Sequence, residues 1–153
     1  MKTSITFFLV LFFVSTFSLF AQQQPDDPLK PSRIVYPDKV KALTKVFFEN
    51  AIADKMSEGY DLLTMNSPIV DKVEQKMNIL SQFRKATSLY GVPLDYEVVK
   101  SAFMGNNLIE LQFVTLHDKL PLRWKMIFYK SPKRDWIAVS ILFDDQPSEF
   151  FTN

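Results

Sequence analysis

Alternation of apolar and polar residues around one charged turn is the feature that most limits how this chain can fold. Residues 122 to 145, LRWKMIFYKSPKRDWIAVSILFDD, contain two such runs separated by KSPKRD. Because successive side chains of a strand point to opposite faces, this period predicts a β-hairpin. If Tyr129 pairs with Trp136, one face is apolar throughout, formed by Leu122, Trp124, Met126, Phe128, Ile137, Val139, Ile141 and Phe143. The other face of the hairpin carries both polar and apolar residues, and a register slip of one residue would mix the two faces.

Two more strands are predicted before this hairpin. The period changes to two after Pro93, and residues 96–104, 108–117, 120–129 and 136–143 are all predicted to be strands. Turns at Gly105-Asn106-Asn107 and Asp118-Lys119 join the first three. Since every connection is short, we expect an antiparallel meander. The apolar face then continues through Ile109, Leu111 and Phe113.

Helices are the only elements left to cover that apolar face. The first is predicted over residues 38–63, and its apolar stripe changes side part-way along. Either this helix breaks near Gly59, or its two halves have different neighbours. In both cases the pattern predicts that Met56 and Tyr60 are buried while Glu58 and Asp61 are exposed.

A second helix is predicted from residue 68 to residue 90. Ser67 is a good N-cap, Pro68 suits the first helical position, and Gly91 follows the last one. The predicted class is therefore α+β. It has one long and one medium N-terminal helix packed on a curved four-stranded antiparallel meander.

The first 21 residues have the pattern of a secretory signal peptide. Lys2 precedes an apolar stretch, and Ala21 is the expected last residue removed. A retained membrane anchor is the alternative, although the stretch is short for a spanning helix of about 20 residues. Residues 22–37 are expected to form a Pro-rich extended leader and residues 38–153 a single domain. We expect a periplasmic or secreted protein with no stable membrane insertion after signal removal.

The composition excludes several kinds of site. The chain has no cysteine, so it folds without disulfides and has no thiol nucleophile or thiolate zinc site. Loss of Lys2 leaves 18 − 1 = 17 basic residues against 17 acidic ones, which argues against nucleic-acid binding. Asp144-Asp145 lacks the spacing of a metal loop, and the basic turn between the last two strands is expected to be solvated. No metal or cofactor is predicted.

The stretch KVFFENAIADKMSEGYDLL is an apolar helix ending in Gly-Tyr, and WIAVSILFDD is a last strand that begins at Trp. With the order of elements, these stretches make the chain resemble the nuclear transport factor 2-like (cystatin-related) superfamily, in its exported bacterial form. The similarity covers about residues 38 to 153 and implies a cystatin-like α+β domain. The sequence departs from the superfamily in one respect, because only one clear helix separates the first helix from the sheet. Function varies widely across this superfamily.

The candidates for a ligand pocket are Tyr60, Tyr96, Glu97, His117 and Trp124. The resemblance implies a cavity between helix and sheet, where ketosteroid isomerases and dehydratases of this superfamily place acids, Tyr or His. The residues themselves show no reaction signature. His117 is the only histidine, and no nucleophile or orienting partner is set beside it by spacing. Tyr60 and Trp124 fit core positions more readily, since aromatic residues bury large areas. No catalytic residue is assigned.

Three functions remain open. The sequence favours a non-catalytic domain that binds a small apolar molecule or a protein partner, either in the helix–sheet cavity or on the sheet face. The first alternative is an isomerase or dehydratase of the same fold, with Tyr60, Glu97 or His117 as the acid or base. The second is a structural module that forms a homodimer through its sheet.

Overall fold

The four stretches of alternating residues form one antiparallel sheet. The computed structural model describes residues 34–146. Its strands are β1 (Asp95–Met104), β2 (Leu108–Leu116), β3 (Leu122–Lys130) and β4 (Trp136–Asp144), in the spatial order β1-β2-β3-β4. The predicted meander and the α+β class are confirmed. The predicted signal segment and most of the predicted leader lie outside the described residues.

Three helices precede the sheet, where the sequence predicted two. They are α1 (Asp38–Ile52), α2 (Met56–Thr64) and α3 (Val73–Tyr90). The prediction of a single long helix over residues 38–63 is therefore wrong. The helical path is interrupted between α1 and α2 at Asp54, which has a positive φ of 59°. Aspartate tolerates this left-handed region better than most residues, because its short side chain can hydrogen-bond locally.

Gly59 lies inside α2 and is not the point of the break. A Cβ atom built there would stand 2.9 Å from the Phe47 carbonyl oxygen and 2.9 Å from Cβ of Asn50. The glycine therefore allows α2 to pack closely against α1. The predicted burial is confirmed, since Met56 and Tyr60 are buried while Glu58 and Asp61 beside them are exposed.

The second predicted helix begins later than the sequence indicated. Its first residue is Val73, and Ser67 and Pro68 lie in the turns that precede it. The Ser67 hydroxyl donates a hydrogen bond to the carbonyl oxygen of Ala138 in β4 and accepts one from the Ile69 N–H at 3.2 Å. Ser67 therefore fastens this connection to β4 instead of capping a helix.

The pairing of β3 with β4 also differs from the prediction. Trp124 lies opposite Phe143 and not Ile141, a shift of two residues that leaves both on the apolar face. An irregularity then leaves Val139 without a partner in the ladder, so Phe128 lies opposite Ala138. This bulge turns Ala138 and Trp136 onto the apolar face, where the sequence had placed Val139 and Ile137.

Helix and sheet meet in a closely packed aromatic layer. Each sheet residue that faces the helices alternates with one that faces away, and cross-strand partners share a face. We call the helix-covered side the inner face and the opposite side the outer face. Residues of the inner face that are completely buried are Ile109, Leu111, Phe113, Leu122, Trp124, Met126, Phe128, Ala138 and Ile141. Their partners from the helices include Val40, Phe47, Phe48, Ala51 and Phe83.

Candidate functional site

Trp124 occupies the centre of the layer between helix and sheet. Its ring stacks on Phe143 with centroids 4.6 Å apart, and it meets the edges of Phe47 at 5.3 Å and Phe48 at 5.9 Å. The side chain is completely buried. At this position the space between helix and sheet is filled by aromatic rings.

His117 is linked to Trp124 through one hydroxyl group. The indole Nε1–H of Trp124 donates to Oγ1 of Thr115 at 3.1 Å, and the same oxygen lies 3.0 Å from Nε2 of His117. On the other side of the ring, Nδ1 lies 2.7 Å from the carbonyl oxygen of Gly91, directly after α3. The chain of bonds therefore joins β3, β2 and the end of α3.

These distances fix the hydrogen-bond roles of the neutral imidazole. The Gly91 carbonyl can only accept, so Nδ1 carries the proton and Nε2 accepts from the Thr115 hydroxyl. That hydroxyl is then donor to His117 and acceptor from Trp124. An imidazolium would need Thr115 to accept twice, with its own proton redirected to the Leu122 carbonyl oxygen, 3.5 Å away. Both nitrogens of His117 are engaged within the fold.

Tyr60 is also in the core, on α2. Its exposed fraction is 1%, and its hydroxyl has no hydrogen-bond partner among the described residues. Burial raises the pKa of this hydroxyl, and the neighbouring charge of Asp61 raises it further. The phenol is therefore held in its neutral form well into alkaline conditions.

Tyr96 and Glu97 are adjacent on β1 and point to opposite faces. Tyr96 is half-buried on the inner face and stacks on Phe48 with centroids 4.5 Å apart. Burial raises its pKa, with smaller contributions from Tyr36, Glu49 and Asp95. Glu97 is exposed on the outer face, opposite Val114. The sheet therefore separates Glu97 from the other four candidates.

Of the five predicted residues, Trp124 and His117 share a hydrogen-bond partner, the hydroxyl of Thr115. Tyr96 joins the same aromatic layer by way of Phe48. Four of the clefts formed by residues 34–146 are lined by none of the five candidates. Tyr60, Glu97 and His117, the three alternatives for an acid or base, do not share one side of the sheet, because Glu97 is on the outer face.

The outer face presents a different arrangement, which the sequence did not single out. Met104, Leu108, Tyr129 and Ile137 lie opposite one another in register and form an apolar row across all four strands. Met104 is 75% exposed and lies at the β1 end of the row. The alternation in the sequence indicates that three of these apolar residues face outward, whereas it places Ile137 on the inner face. Which residues become neighbours across the strands depends on the register of the sheet.

A shallow apolar cleft lies beside this row. Its volume is about 240 Å³, and it is lined by Lys100, Ala102, Phe103, Met104, Leu108, Glu110 and Ile127. Glu110 pairs with Lys125 at 3.7 Å, further along the outer face. We call the row and this cleft together the outer apolar patch. The other end of the outer face includes the charged residues Glu97, Arg123, Lys125 and Asp144.

The two edges of the sheet are unlike. The β4 edge is met by the Ser67 hydroxyl at Ala138. Within residues 34–146, the backbone of β1 forms ladder bonds with β2 alone. The outer apolar patch thus reaches an edge strand whose outward N–H and C=O groups are open to a further strand.

Comparisons with protein-family models, with curated proteins and with solved structures found no match. Across residues 34–146, no three of the Asp, Glu and His side chains come together as a metal site. In the same range no helix is both long and apolar enough to cross a membrane. The chemistry of the chain therefore has to be argued from its own surfaces.

Proposed function

We propose that this protein is an exported, non-catalytic binding domain that holds an extended segment of a partner protein along β1, over the outer apolar patch. The carrying observation is the apolar row that runs to the open edge of the sheet and ends at the strongly exposed Met104. A strand added at such an edge gains main-chain hydrogen bonds, and its alternate side chains reach the adjacent face.

The size of the cleft favours a protein segment over a small apolar molecule. About 240 Å³ is less than the roughly 300–1,000 Å³ of most small-molecule sites. A side chain of a bound segment needs less room, because the backbone supplies much of the affinity. Two of the residues that line the cleft are also strongly exposed to solvent, Phe103 at 53% and Met104 at 75%.

Charge indicates what the segment carries. Lys100 lies at the border of the cleft and makes no ion pair with any other described residue. Glu110, the acid of the cleft, is paired with Lys125. We therefore infer a segment with apolar residues at alternate positions and a carboxylate that reaches Lys100. Export, the leader and membership of the nuclear transport factor 2-like superfamily are part of the same proposal.

Selection of random heptapeptides displayed on phage against the purified protein tests this function. Enriched peptides should share alternating apolar residues and an acid. Met104→Asp should weaken them about tenfold or more, a loss of about 1.4 kcal/mol. Leu142→Asp, also on the outer face but on β4, is the matched control and should leave their affinity within about twofold.

Two outcomes would overturn the proposal. One is the absence of any enriched motif, and the other is equal binding of the selected peptides to both variants. Analytical ultracentrifugation of the protein without peptide measures its oligomeric state and tests whether a second copy occupies the outer apolar patch. A dimer that Met104→Asp dissociates would make a second copy the partner and would establish the homodimer alternative.

A further inference from the structure

A second and larger cleft lies at the opposite margin of the sheet, near β4. Its volume is about 660 Å³, within the range of small-molecule sites. Its walls come from the start of α1, from the turns between α2 and α3, and from the β3–β4 turn with the beginning of β4. We call it the hairpin cleft. Its lining residues are Lys39, Met65, Asn66, Ser67, Pro68, Asp71, Arg134, Asp135, Trp136 and Ile137.

The back of the hairpin cleft is well anchored. The Ser67 hydroxyl bonds to Ala138 of β4 and holds the α2–α3 connection against the sheet. Ser67 and Ile69 are both buried. Trp136 is also mostly buried, and its backbone N–H donates to Oδ1 of Asp135 at 2.8 Å. The charged side chains of the cleft therefore project from a fixed frame.

Charges of both signs face this cleft without neutralising one another. Lys39 and Arg134 are cationic, and Asp71 and Asp135 are anionic. None of the four forms an ion pair with any residue in the described part of the chain. Opposite charges that line one space but stay too far apart to pair leave room for a ligand between them. A ligand that carries both charges can meet both sets at once.

We infer that the hairpin cleft binds a small zwitterion, a short peptide with free termini. Its carboxylate would be held by Arg134 and Lys39, since guanidinium and carboxylate form paired, charge-assisted hydrogen bonds. Its ammonium group would be held by Asp71 and Asp135. Met65, Pro68 and the accessible edge of Trp136 offer the apolar contacts that favour a peptide over a purely charged ion.

The dipeptide Leu-Leu with free termini is the probe for this inference. Binding to the purified protein is measured by calorimetry and by the two tryptophan indole signals in ¹H–¹⁵N NMR spectra. We expect saturable binding in the millimolar range or tighter, with a shift of the Trp136 indole signal and none of Trp124. Acetyl-Leu-Leu, without the ammonium group, and Leu-Leu amide, without the carboxylate, should each bind about tenfold more weakly or worse.

Matched variants locate the site. Arg134→Ala should lower affinity about tenfold, while Lys133→Ala, the preceding residue of the same turn, should leave it within about twofold. Asp71→Asn should weaken binding, and Glu74→Gln on the nearby exposed turn of α3 should not. All four side chains are exposed, so thermal unfolding should be almost unchanged.

The inference is overturned if the free dipeptide does not bind, if the blocked dipeptides bind as well as the free one, or if Arg134→Ala and Lys133→Ala have equal effects. Shifts confined to signals other than Trp136 would also overturn it. Met104→Asp, on the outer apolar patch, should leave dipeptide binding unchanged. Failure here and failure of the partner-segment proposal are therefore distinguishable.

Discussion

The two faces of the sheet are formed by the same strands but differ in burial. Along β3, Trp124, Met126 and Phe128 of the inner face are completely buried, while Arg123 and Lys125 of the outer face keep contact with water. Arg123 bonds to Asp144 at 2.8 Å on that outer face. The inner face therefore forms the core of the fold, whereas residues of the outer face remain in contact with solvent.

The outer face is itself divided along its length. Near Arg123 its neighbours are Glu97, Val114 and Asp144, and near Tyr129 they are Met104, Leu108 and Ile137. Met104 and Tyr129 of the apolar row are exposed while Ile137 is buried, and exposed apolar residues of a soluble protein are usually scattered. The proposed binding of a partner segment at the second end rests on this difference.

The largest expected effect comes from a charge on the inner face. Trp124→Asp should remove the cooperative unfolding transition, because burying an unpaired carboxylate costs several kcal/mol of a total stability of about 5–15 kcal/mol. Circular dichroism during thermal unfolding measures this. Lys125→Asp, the next residue on the outer face, should cost about 1 kcal/mol or less. Similar losses from the two substitutions would refute the assignment of the faces.

A smaller effect is expected from the hydroxyl that joins Trp124 to His117. Thr115→Val keeps the shape of the side chain but removes both hydrogen bonds, and it leaves the buried indole N–H without an acceptor. We expect a loss of about 1–3 kcal/mol in urea unfolding and a shifted Trp124 indole signal. Thr115→Ser, which keeps the hydroxyl, should retain that signal near its original position. An unchanged stability in Thr115→Val would show that this chain of bonds contributes little.

The helical layer over the inner face offers a third test. Gly59→Ala improves helix propensity by about 1 kcal/mol, but its Cβ would meet the Phe47 carbonyl oxygen at 2.9 Å. Crowding of this kind costs about 1–3 kcal/mol, so we expect a net loss of stability. Ser57→Ala, on the exposed side of α2, has no such conflict and should be neutral or slightly stabilising. A more stable Gly59→Ala protein would mean that α1 and α2 can move apart.

Strands and faces could be predicted from the sequence because their signal is local. Alternation indicates which residues share a face, and the turns at 105–107 and 118–119 specify the register of β2 with β3 and of β2 with β1 as far as Lys100, where a second irregularity follows. The bulge at Val139 has no comparable signal. Ala138, next to the bulge, accepts a hydrogen bond from Ser67, a residue far away in the chain. The predicted face is therefore right for Phe143 and Ile141, although their partners differ, and wrong for Val139 and Ile137.

The helix boundaries and the surface clefts are harder to predict from the sequence for a related reason. Ser67 and Pro68 have the local chemistry of a helix start, but the Ser67 hydroxyl finds a partner in β4. Likewise, Tyr60 and Trp124 were candidates both for the core and for a pocket, and only the packing of Phe47, Phe48 and Phe143 shows that the space is filled. Lys39 and Arg134 both line the hairpin cleft although they are far apart in the sequence, so no sequence spacing could indicate that they share it.

The smallest effect is expected for Tyr60→Phe, which removes the unpaired hydroxyl from the core beneath the inner face. An unsatisfied buried hydroxyl is unfavourable, so at neutral pH stability should rise or stay within about 1 kcal/mol.

The Tyr60→Phe variant should also differ from the unaltered protein in how stability depends on pH above neutrality. Because the pKa of Tyr60 is raised above its ordinary 10.0, the folded chain keeps a proton that the unfolded chain loses. This contribution is fully present below pH 10.0 and is lost as pH rises through the folded pKa. Urea unfolding between neutral and strongly alkaline pH should therefore show a shallower decline for Tyr60→Phe than for the unaltered protein. Tyr90→Phe, whose hydroxyl bonds to Asp145 at the surface, is the comparison, because its raised pKa comes first from that bond and not from burial. If Tyr60→Phe destabilised the protein at neutral pH by much more than about 1 kcal/mol, the hydroxyl would have a partner in solution. The inner face would then contain a polar site after all.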